Sequence, residues 1–241
     1  MLKILSLNIE GHKHLGRWLP VVKKLQPDVL CLQEVFACDV TEIGTELDMS
    51  VQMVPTIDIS KKHKYALELL GEAGIAILTN LPATEIEVSQ YGGPEEIGFF
   101  QEPNDGQRLL IQTMVTKGEE KFSVATTHFT WSRKGEPSDL QRENFSRLKP
   151  IIEGYDELIL CGDFNSPRGG EMFSKFTELL TDNLPEKYTT TIDENLHYAG
   201  KLDLVVDTIF STTHYQVTNC HPIDGLSDHM GVWGEVERLE K

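Results

Sequence analysis

Apolar residues along the chain fall into two periods. Short runs recur that read as strands: "KILSLNI", "DVLCLQEV", "GIAILT", "RLLIQTMV", "KFSVATTHF", "ELILCGDFN", "KLDLVVDTIF" and "GVWGEV". In "RLLIQTMV" the alternation of Leu109, Ile111, Thr113 and Val115 marks a half-buried strand. "DVLCLQEV" and "ELILC" are nearly continuous in apolar residues, as strands covered on both faces are. Between them the period lengthens. Leu15, Trp18, Leu19, Val22 and Leu25 form a helical stripe that Pro27 ends, and Met172, Phe173, Phe176, Leu179 and Leu180 form a second. A third helix is expected from Asp139, a candidate N-cap, to about Leu148, with Pro150 as its limit. Residues 80–107, rich in Gly, Pro and acidic side chains, read as a long loop or an edge hairpin. Strands near both termini, with helices and further strands between, predict an α/β sandwich. No repeat or flexible linker interrupts the pattern, so residues 1–241 are expected to form one domain.

Composition narrows the class. The 241 residues suffice to bury a core, and 39% hydrophobic with 25% charged is ordinary for a globular protein. No apolar run approaches the ~18 residues of a membrane span. "MLKILSLNIEG" reads as a first strand rather than a secretory leader. Cys31, Cys38, Cys161 and Cys220 form no Cys-x-x-Cys pair and are expected to be reduced thiols of a cytoplasmic protein. The net charge of −16 disfavours a protein that grips long nucleic acid through a basic face.

The chemistry collects at strand margins. "LSLN" ends in Asn8 with Glu10 two residues on, "LCLQE" in Glu34, "SVATTH" in His128, and "LILCGDFN" in Asp163 and Asn165. "KLDLVV" carries Asp203, and "LSDH" sets Asp228 and His229 just before a strand. Asp163 and Asn165 alone could be turn formers, but polar ends on this many strands describe one rim of a sheet gathering a site. Glu34, Glu10 and Asp228 offer hard carboxylate oxygens that suit Mg²⁺ or Mn²⁺. Asp163 can orient or deprotonate a water, and Asn8 and Asn165 can hold it or a phosphate oxygen. His229 can donate to a phosphorane-like transition state, with Asp203 accepting its other N–H, and His128 can donate a second bond. Together these residues suffice for metal-assisted phosphoester hydrolysis.

"LSLNIEG", "CLQE", "TTH", "GDFN", "KLD" and "LSDH", in that order, resemble the endonuclease/exonuclease/phosphatase superfamily of deoxyribonuclease I-like phosphoesterases. The resemblance runs from Asn8 to His229. It implies a four-layer α/β sandwich of two mixed β-sheets flanked by helices, with one or two divalent ions at the rim. It makes Glu34 the principal metal ligand, with Asn8, Glu10 and Asp228 around it. Asp163 and Asn165 become the water-activating pair and Asp203–His229 the dyad facing the phosphate. Asp207 is the alternative to Asp203. A non-catalytic relative would have lost at least one of Glu34, Asp163, Asn165 and His229; all are present.

The expected substrate is a phosphomonoester or phosphodiester, a small molecule or a nucleic acid, with no membrane insertion and no obligate protein partner. Arg142 and Arg168 are candidates to grip a phosphate, as are Arg133 and Lys134 less directly. Trp131, three residues after His128, could stack on a base, line a pocket or fill the core. "GHKH", with His12 and His14, reads as a surface loop or a weak metal signal.

Overall fold

The computed structural model describes residues 1–65 and 67–239. Its strands are β1 (Leu2–Asn8), β2 (Val29–Phe36), β3 (Ser50–Ile59), β4 (Gly71–Thr79), β5 (Glu87–Gly92), β6 (Arg108–Lys117), β7 (Glu120–His128), β8 (Ile159–Asp163), β9 (Thr181–Asp182), β10 (Asp207–Ser211), β11 (Tyr215–Ile223) and β12 (Gly231–Arg238). The helices are α1 (Leu15–Leu25), α2 (Val40–Leu47), α3 (Asp139–Glu153) and α4 (Glu171–Thr177). One sheet runs β11-β12-β1-β2-β4-β3 and the other β5-β6-β7-β8-β10-β9. β1–β2 and β7–β8 are parallel and the other pairs antiparallel, so both sheets are mixed.

Period-two alternation builds the layers. In β1, Leu2 and Ile4 face the second sheet while Leu5 and Leu7 face outwards. Val29 and Cys31 of β2 meet Ile159 and Cys161 of β8 and Ile209 of β10 in the interior between the sheets. α1 lays Leu15, Trp18, Leu19 and Val22 on the outer face of the first sheet. α3 and α4 lay Phe145, Leu148, Ile152, Phe173 and Phe176 on the outer face of the second. The result is helix, sheet, sheet, helix, the expected four-layer sandwich.

The differences are local. α3 is capped by Ser138, not Asp139, through a reciprocal box with Gln141, and it continues three residues past Pro150. The 80–107 stretch contributes one edge strand, β5, and is otherwise loop. "KLDLVVDTIF" is strand only from Asp207 onwards, because β10 begins where Asp207 pairs with Asp163.

Candidate active site

The alternation that makes the core also makes the site. On β1 the inward positions continue from Leu2 and Ile4 through Ser6 to Asn8; on β7 they run Phe122, Val124, Thr126, His128; on β8 they run Ile159, Cys161, Asp163. Each strand therefore ends with a polar side chain directed into the gap between the sheets, all at one rim. Register aligns them, with His128 opposite Asp163 and Asp163 opposite Asp207. β12 runs antiparallel to β1, so Asp228 and His229, just before it, reach the same rim.

Glu34 breaks parity. Gln33 points inward, where its Nε2 donates to Thr126 Oγ1 at 2.9 Å across the sheets. The next residue would point outward in a regular strand. Instead the register slips between Gln33 and Val35, and Glu34 adopts φ +59°, a β-bulge that redirects its carboxylate to the rim. Gly162 is fixed by a different constraint. At φ +150° a Cβ there would lie 2.0 Å from the Thr127 carbonyl oxygen, so no other residue fits at the start of "GDFN" without moving β7.

Asp163 is the hub. Its Oδ2 accepts from Asn8 Nδ2 at 3.1 Å and its Oδ1 from the Asn165 backbone N–H at 2.8 Å. His128 Nε2 lies 3.5 Å and His229 Nε2 3.8 Å from the same Oδ2. Burial pushes Asp163 up to about 6, the His229 charge opposes that, and Asp207 adds to it. Asn8 Nδ2 also donates to Glu34 Oε1 at 3.1 Å, tying the two sheets' carboxylates to one amide. Glu34 is raised to about 7 by withdrawal from water and then by Asp228 beside it, though 38% of its side chain stays accessible. His229 Nδ1 lies 2.9 and 3.1 Å from the two oxygens of Asp207, and Asp207 Oδ2 also accepts from Thr191 Oγ1 at 2.7 Å. Burial works against a charged His229, but Asp207, Asp163 and Asp228 outweigh it and hold the imidazole well above its ordinary range. His128 goes the other way: burial, Arg108 and His229 lower it, so it is neutral.

Across residues 5–229 the sequence matches the endonuclease/exonuclease/phosphatase family. The chain belongs to that family. Its fold is similar to that of a family protein from Beutenbergia cavernae (17% identity, 98% of this chain and 71% of that one, TM-score 0.73). It is similar also to the Bacteroides thetaiotaomicron mannosyl-6-phosphatase (15% identity, 98% and 100%, TM-score 0.69). The human Nocturnin catalytic domain with a bound sulfate is a third (19% identity, 99% and 93%, TM-score 0.68). No curated protein matches the chain. Family members share a phosphoesterase fold, and the similar structures include both a phosphatase and Nocturnin.

Within this family frame the expected residues divide. Asn8, Glu34, His128, Asp163, Asp228 and His229 converge at the rim. Asn165, at φ +47°, joins them through its backbone bond to Asp163, while its Nδ2 donates to the Phe129 carbonyl at 3.1 Å. Asp203 does not pair with His229: its side chain is 68% exposed beside Lys201, four residues before β10, and Asp207 holds the imidazole. Glu10 has its charge already balanced by Lys13 Nζ at 2.8 Å and His14 Nε2 at 2.9 Å. His14 is buried for that purpose and is not a surface residue, while His12 pairs with Asp39.

The two arginines are committed elsewhere. Arg168 pairs with Asp182 at 2.7 Å and donates to the carbonyls of Leu184, Pro185 and Tyr188, bracing a loop and leaving no guanidinium face for a phosphate. Arg142 is exposed and forked onto Glu171, with Asp139 on its other edge. Trp131 is surface, not core: the residue is 41% exposed, and Asn104 holds its backbone N–H and carbonyl. Arg108 was not foreseen. Its guanidinium donates to Asn104 Oδ1 at 2.9 Å and to the His128 carbonyl at 3.3 Å, within the fields of Glu34 and Asp163. The only sequence signal was a cation opening a strand whose interior carries no charge.

The donor set fits a divalent cation. Glu34, Asp228 and Asp163 are carboxylates crowded at one rim, and Glu34 is held near neutrality partly because Asp228 faces it. Hard oxygens that repel one another in the protein alone are what Mg²⁺ or Mn²⁺ binds. No helix among the described residues is long and apolar enough to cross a membrane.

Proposed function

We propose that the protein hydrolyses a phosphoester bond with the help of Mg²⁺ or Mn²⁺, on a small or locally accessible substrate. Glu34 and Asp228 would hold the ion, Asn8 fixes Glu34, and Glu10 adjoins them through its backbone N–H to Asn8 Oδ1. When bound, the ion would supply neutralisation of phosphoryl charge. Asp163, raised by burial into the range of a competent base, orients a water and takes its proton. Asn165 shapes that site by fixing the Asp163 rotamer through its backbone N–H. His229, kept protonated by Asp207, donates Nε2–H to the charge that builds on phosphorus-bound oxygen, and His128 donates as a neutral imidazole.

The observation that carries this reading is the convergence of two histidines on one buried carboxylate: His128 Nε2 and His229 Nε2 lie 3.5 and 3.8 Å from Asp163 Oδ2, and His229 Nδ1 is held by Asp207 at 2.9 Å. Titratable groups gathered and perturbed in this way are what active sites use to match acid and base to their tasks. The cations around the mouth support a small substrate. Lys13 is committed to Glu10, Lys201 sits by Asp203, and Arg142 and Arg168 are tied to carboxylates, which favours a small substrate over a long polyanion. The test is hydrolysis of bis(p-nitrophenyl) phosphate and p-nitrophenyl phosphate with Mg²⁺, Mn²⁺ or EDTA, for wild type and Asp163→Ala. Metal-dependent turnover lost in the variant is the expected result. Turnover that survives EDTA or Asp163→Ala would refute the reading.

A further inference from the structure

Residues 193–200 form a turn that the proposed mechanism does not use, although it is attached directly to its residues. Ile192 bridges His229, and the Asp193 N–H donates to the Asp228 carbonyl at 2.9 Å. The Asp193 side chain is 3% exposed. Its Oδ1 accepts from the N–H groups of Asn195 and Leu196, and its Oδ2 accepts from the Gly225 N–H at 2.7 Å. The backbone closes on itself twice more, His197 N–H to the Asp193 carbonyl and Gly200 N–H to the His197 carbonyl, both at 2.9 Å. The turn is thus built as firmly as a helix end.

What this rigid turn presents is an aromatic pair. Tyr198 is 87% exposed, the most exposed of the large apolar or aromatic side chains described, and its ring lies 4.5 Å from that of His197 at 37°. His197 Nδ1 accepts from the Ala199 N–H at 3.2 Å, so the neutral ring carries its proton on Nε2 and offers it as a donor. The imidazole is close enough to the centre to feel Asp228, His229, Glu10 and Lys13. A bare tyrosine contributes nothing to packing, whereas on a fixed backbone it binds a flat partner at small entropic cost, having only two side-chain torsions to order.

Resting on the phosphoester reading, we propose that His197 and Tyr198 form a subsite for the group esterified to the scissile phosphate. A nucleobase, or the C–H face of a pyranose, packs on the Tyr198 ring, and His197 Nε2–H donates to a ring substituent. Calorimetric titration with inorganic phosphate, AMP and glucose 6-phosphate tests this without turnover in Mg²⁺-loaded protein carrying Asp163→Asn, which removes the proposed base. The expected result is that this parent protein binds AMP or glucose 6-phosphate more tightly than phosphate. Tyr198→Ala in that background then weakens the preferred ester about tenfold while leaving phosphate unchanged, and Tyr198→Phe restores it. Preference for AMP identifies a base, and preference for glucose 6-phosphate a sugar. Equal affinity of the parent for all three, or an equal loss for all three in Tyr198→Ala, overturns the subsite. If the parent does not bind inorganic phosphate at all, the phosphoester reading itself fails, and the subsite with it.

Discussion

Asp207→Asn separates the geometry from the sequence pattern that favoured Asp203. Asp207 Oδ2 lies 2.9 Å from His229 Nδ1. At an effective dielectric of about 20 that contact is worth roughly 5–6 kcal/mol of bare Coulomb energy, an upper bound on how far Asp207 favours the charged imidazole. Asp163 and Asp228 remain in the variant and retain part of it. The amide also fits the space: its oxygen takes the Oδ2 position facing the Thr191 hydroxyl, and its NH₂ turns to Nδ1. Nδ1 then accepts, so His229 keeps an Nε2–H but loses its charge near neutral pH. One preorganised donor of this kind is worth about 10²–10³ in kcat.

In the proposed mechanism the active form is protonated His229, populated below its folded-state pKa, so lowering that pKa removes activity from the alkaline side. In a pH–rate profile for p-nitrophenyl ester hydrolysis, the alkaline limb should move to lower pH. The ratio of wild-type to variant rate should therefore grow from pH 6 to 8. Asp203→Asn should stay within about twofold of wild type, as an exposed side chain should. Equal damage from the two substitutions, or an unmoved alkaline limb in Asp207→Asn, would refute the assignment.

Glu34→Gln should weaken divalent binding, read as Mn²⁺ affinity by electron paramagnetic resonance, by at least about tenfold, since a carboxylate ligand becomes an amide. Arg168→Ala removes the partner of a half-buried Asp182 and the donor to three carbonyls. It should cost about 3 kcal/mol, or about 6–12 °C in Tm by calorimetry, with KM unchanged. Arg142→Ala, on an exposed pair, should shift Tm by less than about 2 °C. Asp163 has a folded pKa of about 6 against an ordinary 3.8, so its ionisation costs the metal-free fold about 3 kcal/mol as pH rises through that window. In urea titrations with EDTA, Asp163→Asn should gain stability relative to wild type between pH 4 and 6.5; a difference that stays flat would contradict the burial argument.

Much of the site was legible because strand parity is legible. Asn8, His128 and Asp163 end runs whose inward positions are apolar or, at Ser6 and Thr126, small hydroxyls, and the larger polar terminus stands out against them. Glu34 was recognisable by type, but the bulge that aims it arises from pairing with β4, a partner no local pattern reveals. Asp203 and Asp207 share one apolar run, and only the register with Asp163 decides where the strand begins. β3 and β11 went unread because they are edge strands, their half-exposed faces carrying Gln52, Pro55, Gln216 and Asn219 in place of an apolar alternation. α2, with Gly44 and two threonines among eight residues, is held by packing on the first sheet rather than by propensity. Arg168 misled for a related reason: its nearness to "GDFN" is local, and its carboxylate and carbonyl partners come from residues 182–188.

The two sheets contribute to the centre separately. Asn8, Glu34, Asp228 and His229 belong to one, and His128, Asp163 and Asp207 to the other. Across the divide they meet through the Asn8–Asp163 and His229–Asp207 contacts, with Gln33–Thr126 just beneath. Catalytic alignment is therefore a property of the spacing between two slabs, set by what fills the gap. Enlarging a residue such as Cys31 or Cys161, more than one strand residue below the rim, acts like a shim in a hinge. It would splay the halves and detune the reaction while every catalytic side chain stayed in place on its own strand.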